Sequence, residues 1–88
     1  MTYWTVELSE SAKKELTQLS DSLRRRITRK LIALESNPRP PSTKKLRVSP
    51  GRFRLRVGDY RVVYAVSDQH KVVTVERIRH RSDAYRGM

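Results

Sequence analysis

The sequence predicts an α+β domain, with an N-terminal strand and a two-helix hairpin packed on one face of a mostly antiparallel sheet of four to five strands. Two patterns predict this class. In the first half, apolar residues recur every three or four positions, which is the period of an amphipathic helix. In the second half, they alternate with arginines, which is the period of a strand. The 88 residues are expected to form a single domain, 1–88.

The first half begins with a strand and continues with two helices. Alternating β-prone residues predict the strand from Tyr3 to Leu8. Ser9 or Ser11 can cap a first helix that runs to about Leu19, and Ser20-Asp21-Ser22 marks a break with a second N-cap. The second helix is expected to run to about Ser36, with an apolar stripe toward the sheet made of Leu23, Ile27, Leu31 and Leu34.

The second half consists of strands. The prolines of Asn37 to Thr43 end the helical part. Arg52 to Val57 alternates strictly between arginine and apolar residues, and Gly58-Asp59 then marks a two-residue turn whose order reverses the favoured Asp-Gly, which leaves the turn type open. Tyr60 to Val66 is nearly continuously apolar, as in a central strand covered on both faces, and Lys71 to Arg79 forms the last strand. One sheet face should therefore be free of helices and carry arginines.

The charge of the chain is strongly positive and uneven. Twenty Lys and Arg residues stand against nine Asp and Glu, which leaves a net charge of +11, and fourteen of the twenty are arginines. Residues 1–43 hold eight basic and five acidic side chains, whereas residues 44–86 hold twelve and four. Because so basic a domain repels itself, a polyanionic partner is expected. The guanidinium fork of arginine favours phosphate as the group it contacts.

Several classes of protein are excluded by composition. Without cysteine, the chain has neither a disulfide framework nor a thiolate metal site. Its carboxylates and two histidines show no metal-ligand spacing, so no metal or other cofactor is expected. No apolar run reaches the roughly 18 residues of a membrane span, and the N-terminus lacks a signal-peptide pattern. We therefore expect a cytoplasmic protein with no membrane partner.

The basic second half contains the residue types that metal-free cleavage of RNA requires. A base must help the ribose 2′-oxygen attack the phosphorus, cations must stabilise the transition state, and an acid must protonate the leaving 5′-oxygen. Converging arginines can supply the stabilisation, while histidine and tyrosine can supply acid–base help. The candidates are Arg54, Arg56, Arg61, Arg79, His80, Arg81 and Tyr85.

An ordered series of short motifs carries a family resemblance. The series is Lys45-Leu46-Arg47, Phe53-Arg54-Leu55-Arg56, Tyr60-Arg61-Val62-Val63-Tyr64 and Arg79-His80-Arg81-Ser82-Asp83-Ala84-Tyr85-Arg86. With the leading strand and the helical hairpin, it resembles the RelE/ParE toxin superfamily over nearly the whole chain. The likeness implies a RelE-like mRNA interferase, the toxin of a type II toxin–antitoxin system. Such a toxin is a ribosome-dependent endoribonuclease that cleaves mRNA in the A site through attack by the 2′-hydroxyl.

The resemblance also implies roles for single residues. Arg61 matches the family arginine that contacts the scissile phosphate, and Arg79 matches the arginine at the end of the last strand. Tyr85 matches the C-terminal tyrosine that lies near the attacking 2′-oxygen or stacks on a base. Arg54 and Arg56 fall where RelE-type members often have lysines, which is a departure from the family pattern.

This departure changes the acid–base assignment. Because arginine stays protonated, Arg54 and Arg56 can clamp phosphate but cannot act as a general base. The base is then Tyr85 or His80, or it is replaced by electrostatic lowering of the pKa of the 2′-hydroxyl. For His80, the alternative is an ordinary surface histidine among arginines, and for Tyr85 it is an apolar contact that covers the end of the sheet.

Further basic residues form a candidate surface for RNA and the ribosome. On the outer face of the second helix, the cations would repel one another, and ribosomal RNA would relieve this repulsion. The alternative is that this charged helix face is only exposed to solvent and binds no partner. The residues predicted to contact RNA or the ribosome are Lys44, Lys45, Arg47, Arg52, Arg81, Arg24, Arg25, Arg29 and Lys30.

The resemblance further implies partners. The toxin would bind a cognate acidic RelB-like antitoxin in a hetero-oligomer, and it would act on the ribosome and mRNA. Three alternatives stay open at this point. The chain could be a ParE-type inhibitor of DNA gyrase, a non-catalytic basic RNA-binding domain, or a toxin that has lost cleavage and serves as an antitoxin-bound repressor component.

Overall fold

The computed structural model describes residues 3–47 and 49–82, which form two helices and a five-stranded sheet. The sheet has the order β1-β5-β4-β3-β2. β1 is parallel to β5 and every other neighbouring pair is antiparallel, so the predicted fold class is confirmed. The elements are β1 (Thr5–Leu8), α1 (Glu10–Thr17), α2 (Asp21–Ala33), β2 (Thr43–Lys45), β3 (Arg52–Val57), β4 (Tyr60–Ser67) and β5 (Val72–His80).

Serine side chains begin both helices, as the sequence predicts. The Oγ of Ser9 accepts a hydrogen bond from the backbone N–H of Ala12 at 3.1 Å, and Ser20 caps α2 in the same way. Both helices end earlier than expected, at Thr17 and Ala33. Beyond these ends the chain continues in tighter turns, in which an N–H bonds to the carbonyl three residues earlier.

The core lies between the helices and one face of the sheet. Ile27, Leu31 and Leu34 are buried as the apolar stripe predicts, whereas Leu23 is only partly buried. Because side chains alternate along a strand, one apolar set from β3 and one from β4 lie on this face. On β5 a register shift opposite Val63 and Tyr64 keeps Val73, Val75 and Ile78 together in the core. The sheet contributes Leu55, Val57, Val62, Tyr64, Val73, Val75 and Ile78.

The loop before β2 is held to the sheet by a buried tyrosine and an exposed arginine. The hydroxyl of Tyr64 donates to the carbonyl oxygen of Pro38 at 2.8 Å, and burial raises the pKa of this tyrosine. Arg39 binds Asp68 through two hydrogen bonds and lies over the ring of Phe53. These contacts fix the position of the loop that leads into β2, the strand that contains Lys44.

The turn between β3 and β4 sets the register of the two strands that carry Arg54, Arg56 and Arg61. Gly58 takes a φ of 58°, as at the first central position of a type II′ turn, and the guanidinium of Arg26 packs against it. This turn places Arg56 directly opposite Arg61. Among the described residues, no helix is long and apolar enough to span a membrane.

We predict that two isoleucines of α2 differ sharply in their contribution to stability. Ile27 is fully buried and Ile32 is 57% exposed, so Ile27→Ala should lower the free energy of unfolding by about 2–5 kcal/mol. Ile32→Ala, the matched control, should change it by less than about 0.5 kcal/mol. Urea titrations of both variants would measure this difference. Similar losses at the two positions would contradict the assignment of the core.

Candidate functional site

The helix-free face of the sheet carries arginines in register. Arg56 of β3 is the partner of Arg61 on β4, and Arg61 is the partner of Arg79 on β5. These three arginines therefore form a row across three strands, about 4.8 Å apart from strand to strand. Like charges placed directly opposite each other destabilise a sheet. The row is thus a site at which an anion would add stability.

Four cations line a cleft on this face. Lys44, Arg54, Arg56 and Arg61 surround a cleft of about 270 Å³ together with Ser42. Lys44 and Arg54 are register partners, so β2 extends the cationic surface beyond β3. None of the five lining residues is acidic. The cleft can therefore hold the phosphate groups of a nucleic acid strand against several donors at once.

Arg61 lies at the electrostatic centre of this cleft. Burial lowers the pKa of Arg61, the charges of Arg56, Arg54 and Arg81 lower it further, and Asp59 opposes them. Its Nη1 donates to the carbonyl oxygen of its neighbour Tyr60 at 3.3 Å. Because an arginine remains protonated even so, Arg61 is a partly buried cation among other cations. A bound phosphate would relieve this repulsion.

On the β5 side of the same face, Glu15 of α1 pairs with two arginines. Its Oε2 accepts from Nη2 of Arg77 at 2.9 Å and from Nε of Arg79 at 3.1 Å. Its Oε1 accepts from the backbone N–H of Ile78 at 2.7 Å. Burial alone would raise the pKa of Glu15, but the hydrogen bonds from Arg77, Ile78 and Arg79 together lower it. Arg79, the register partner of Arg61 on β5, thus binds a carboxylate of α1.

Arg52 of β3 pairs with a carboxylate of β5. Its Nε and Nη2 donate to the two carboxylate oxygens of Glu76 at 2.7 and 3.0 Å. This hydrogen-bonded pair raises the pKa of Arg52. Arg52 therefore contributes less positive charge to the open face than its sequence position predicts.

His80, one of the two predicted acid–base residues, does not line the cleft around Arg61. His80 is the partner of Tyr60 on β4 and contacts its ring edge-on, with centroids 5.5 Å apart. Both line a separate cleft of about 520 Å³, whose other lining residues are Glu15, Gln18, Leu19, Ile78 and Arg79. His80 therefore faces away from Arg61. Tyr85 lies outside the described residues.

The remaining predicted cations are distributed over several surfaces. Arg29 and Lys30 line a groove of about 600 Å³ between α2 and β3, which also contains Arg26 and Arg56. Because Arg56 lines both this groove and the cleft, the two are contiguous. Arg24 and Arg25 instead bind the side chain and the backbone of Asp21, respectively, and Lys45, Arg47 and Arg81 are exposed.

Sequence reasoning missed the carboxylates of the site. Glu15 and Arg77 are 62 residues apart, and Arg52 and Glu76 are 24 apart. Arg77 and Arg79 are two residues apart on the last strand and therefore lie on the same face. Only this spacing could have indicated that they share an anionic partner. Within residues 3–47 and 49–82, no group of three or more histidines or carboxylates could hold a metal ion.

We predict that the stabilisation provided by Glu15 depends on pH. Its folded pKa lies below the ordinary 4.5, so its contribution is present above that value and is lost as the pH falls through the folded pKa. Glu15→Gln should therefore destabilise the protein near neutral pH, and the difference from wild type should shrink below about pH 4. Thermal unfolding across this range measures it, with exposed Glu7→Gln as the control. A difference that stays constant with pH would contradict the ion pairs.

Comparison with known proteins identifies the family. The model of the ParE toxin of the type II toxin–antitoxin system parDE matches residues 6–85. The mRNA interferase toxin RelE of Escherichia coli strain K12 is 35% identical over 84 residues, which cover 91% of this chain and 87% of that protein.

Solved structures agree with this match. RelE in the RelE–RelB complex of Pyrococcus horikoshii OT3 is 28% identical, with a TM-score of 0.83 over 94% of this chain and 100% of that one. The match to the intact RelBE toxin–antitoxin complex of E. coli has a TM-score of 0.79 at 29% identity. It covers 88% of this chain and 95% of that one. The chain therefore belongs to the RelE/ParE superfamily and is a RelE-type toxin of a toxin–antitoxin system.

Proposed function

We propose that this toxin is an endoribonuclease that cleaves mRNA in the ribosomal A site. The observation that carries the proposal is the cleft in which Lys44, Arg54, Arg56 and Arg61 converge without an acidic lining residue. Such a cleft suits the scissile phosphate and its developing charge. The E. coli relative is named an mRNA interferase, which supports the same activity.

The proposed reaction is a transesterification within the RNA strand. The 2′-oxygen forms a bond to phosphorus while the bond from phosphorus to the 5′-oxygen breaks. The 2′-hydroxyl loses a proton and the leaving oxygen gains one, which yields a 2′,3′-cyclic phosphate and a 5′-hydroxyl. Arg61, with Arg56 and Arg79 on either side of it in the row, stabilises the extra negative charge of the transition state. No metal ion is required in this scheme.

Proton transfer is assigned to different groups from those expected from sequence. Because His80 faces away from the cleft, the described residues that line it offer Lys44 as a proton donor to the leaving oxygen. Four cations around one phosphate also lower the pKa of the attacking 2′-hydroxyl, which reduces the need for a strong base. Tyr85 remains the proposed residue next to the attacking oxygen.

Ribosome docking is proposed for the groove between α2 and β3. The groove continues the cationic surface from Arg56 to Arg29 and Lys30, so one RNA surface could cover both regions. Lys45, Arg47 and Arg81 are exposed cations that can make additional phosphate contacts. Arg24 and Arg52 are weaker candidates because each pairs with a carboxylate, and the side chain of Arg25 is bonded to the backbone carbonyl of Asp21.

The proposed inhibitory partner is a cognate acidic RelB-like antitoxin. The structures of RelE-type relatives with RelB support this assignment. A net charge of +11 favours rapid association with an acidic chain, and its carboxylates would occupy the cations that RNA needs. We expect a toxin–antitoxin hetero-oligomer in the cytoplasm.

One observation favours a second candidate function, inhibition of DNA gyrase. The family model that matches the chain is that of the ParE toxin. A gyrase inhibitor would not require the row of arginines to act on a phosphate. Cleaved messages and trapped gyrase–DNA complexes therefore distinguish the two candidates.

We predict that Arg61→Ala abolishes most cleavage. Removal of one central stabilising cation should lower the rate by a factor on the order of 10²–10³. Mapping of mRNA 5′ ends by primer extension in a translating extract would measure cuts within the A-site codon. Lys14→Ala, which removes an exposed cation of α1 outside the cleft, is the control and should cleave like wild type. Growth arrest with intact messages and trapped gyrase would overturn the proposal.

We predict that the α2 groove governs ribosome affinity and not the chemical step. The double variant Arg29→Gln/Lys30→Gln should bind ribosomes more weakly. The slope of log affinity against log salt should become shallower by about one per lost phosphate contact. At saturating toxin its cleavage rate should equal that of wild type. Lys14→Gln on α1 is the control, and an equal loss of affinity there would contradict a specific groove.

A further inference from the structure

The end of β5 continues into a turn that is closed by a side chain. Nδ1 of His80 accepts a hydrogen bond from the backbone N–H of Ser82 at 3.3 Å, and Oγ of Ser82 lies 3.0 Å from the same nitrogen. This is the hydrogen-bond pattern of an Asx turn, in which a side chain binds the backbone N–H two residues further on. Arg81 is the central residue of the turn, and its own N–H donates to the carbonyl oxygen of Asp59 at 2.6 Å. Hydrogen bonds therefore fix the backbone on both sides of Arg81.

The ring of His80 is itself held in place. It contacts the ring of Tyr60 edge-on, and Tyr60 is also its register partner on β4. Because Nδ1 accepts the N–H of Ser82, the neutral ring carries its proton on Nε2. The imidazole is thus oriented by a strand on one side and closes the turn on the other.

Arg81 lies near Arg61 across the β4–β5 pair. Arg61 is the register partner of Arg79, so Arg81, two residues further along, is its diagonal neighbour. Diagonal neighbours in a sheet are about 7–8 Å apart, which is within reach of long side chains. After burial, the charges that lower the pKa of Arg61 include that of Arg81. Because Arg81 is exposed, it can contact a phosphate that is bound at Arg61.

We propose that His80 is a positioning residue, which closes the turn at Ser82 and so holds Arg81 next to Arg61 for contact with the scissile phosphate. The inference rests on the proposed ribonuclease function and gives His80 a role other than proton transfer. A displacement of about 1 Å in a group that acts on the reacting centre can lower the rate on the order of 100-fold. Loss of the turn should therefore slow the chemical step.

Two substitutions separate the acceptor of His80 from its ring. His80→Asn keeps a side-chain acceptor that can close the same turn, but it loses the ring contact with Tyr60. His80→Phe keeps a ring beside Tyr60 but has no acceptor for Ser82. Neither side chain can act as an acid or a base. His70→Ala is the matched control, because it removes the other histidine of the chain, which is exposed in the turn before β5.

The test is single-turnover cleavage of ribosome-bound mRNA at increasing toxin concentration. His80→Phe should lower the rate at saturation by about 10- to 100-fold. It should raise the half-saturating concentration much less, because a displaced Arg81 remains a cation on the same surface. His80→Asn should restore most of the rate, and His70→Ala should cleave like wild type. In an Arg81→Ala background, His80→Phe should have no further effect.

Four outcomes would overturn the inference. Equal losses in His80→Asn and His80→Phe would mean that the imidazole itself takes part in the reaction. A loss confined to His80→Asn would assign the effect to packing against Tyr60. A wild-type rate in His80→Phe, or an undiminished loss in the Arg81→Ala background, would remove the link between the turn and the site. Absence of A-site cuts with the wild-type toxin would instead refute the proposed function itself, which separates the two failures.

Discussion

Repulsion among cations on one face of the sheet is the constraint around which this molecule is organised. The apolar residues of β3, β4 and β5 must face the helices, and strand alternation then forces the arginines between them onto the other face. Val63 lies among them and is nevertheless buried, since the aliphatic stems of its register partners Arg54 and Arg77 can cover it. The alternation of apolar residues and arginines thus buries the core on one face of the sheet and concentrates positive charge on the other.

The two carboxylates that reach this face relieve the repulsion unevenly. Glu15 and Glu76 bind arginines of β5 and the start of β3, whereas no acidic residue lines the cleft around Arg61. An anionic strand will therefore bind most strongly over the β2–β4 side, with Arg79 at its margin. The positive charge is therefore concentrated on the β2–β4 side of the face and is partly compensated on the β5 side.

Much of this arrangement was predictable from local pattern, and the rest was not. Periods of 3.6 and 2 predicted the helices, the stripe of Ile27 and Leu31, and the arginine face. The parallel pairing of β1 with β5 and the contact of Glu15 with Arg77 join distant parts of the chain, and no local pattern encodes them. His80 was grouped with Arg79 because they are adjacent in a motif, yet adjacent residues on a strand point to opposite faces.

The opposite orientation of His80 bears on how the proposed reaction can proceed. The charges of arginine and phosphodiester are constant across the physiological pH range, so stabilisation by Arg56, Arg61 and Arg79 does not depend on pH. A cleft built in this way favours the transition state mainly through fixed charge, and proton transfer becomes the smaller contribution. Fixed charge is effective only if its geometry is fixed as well.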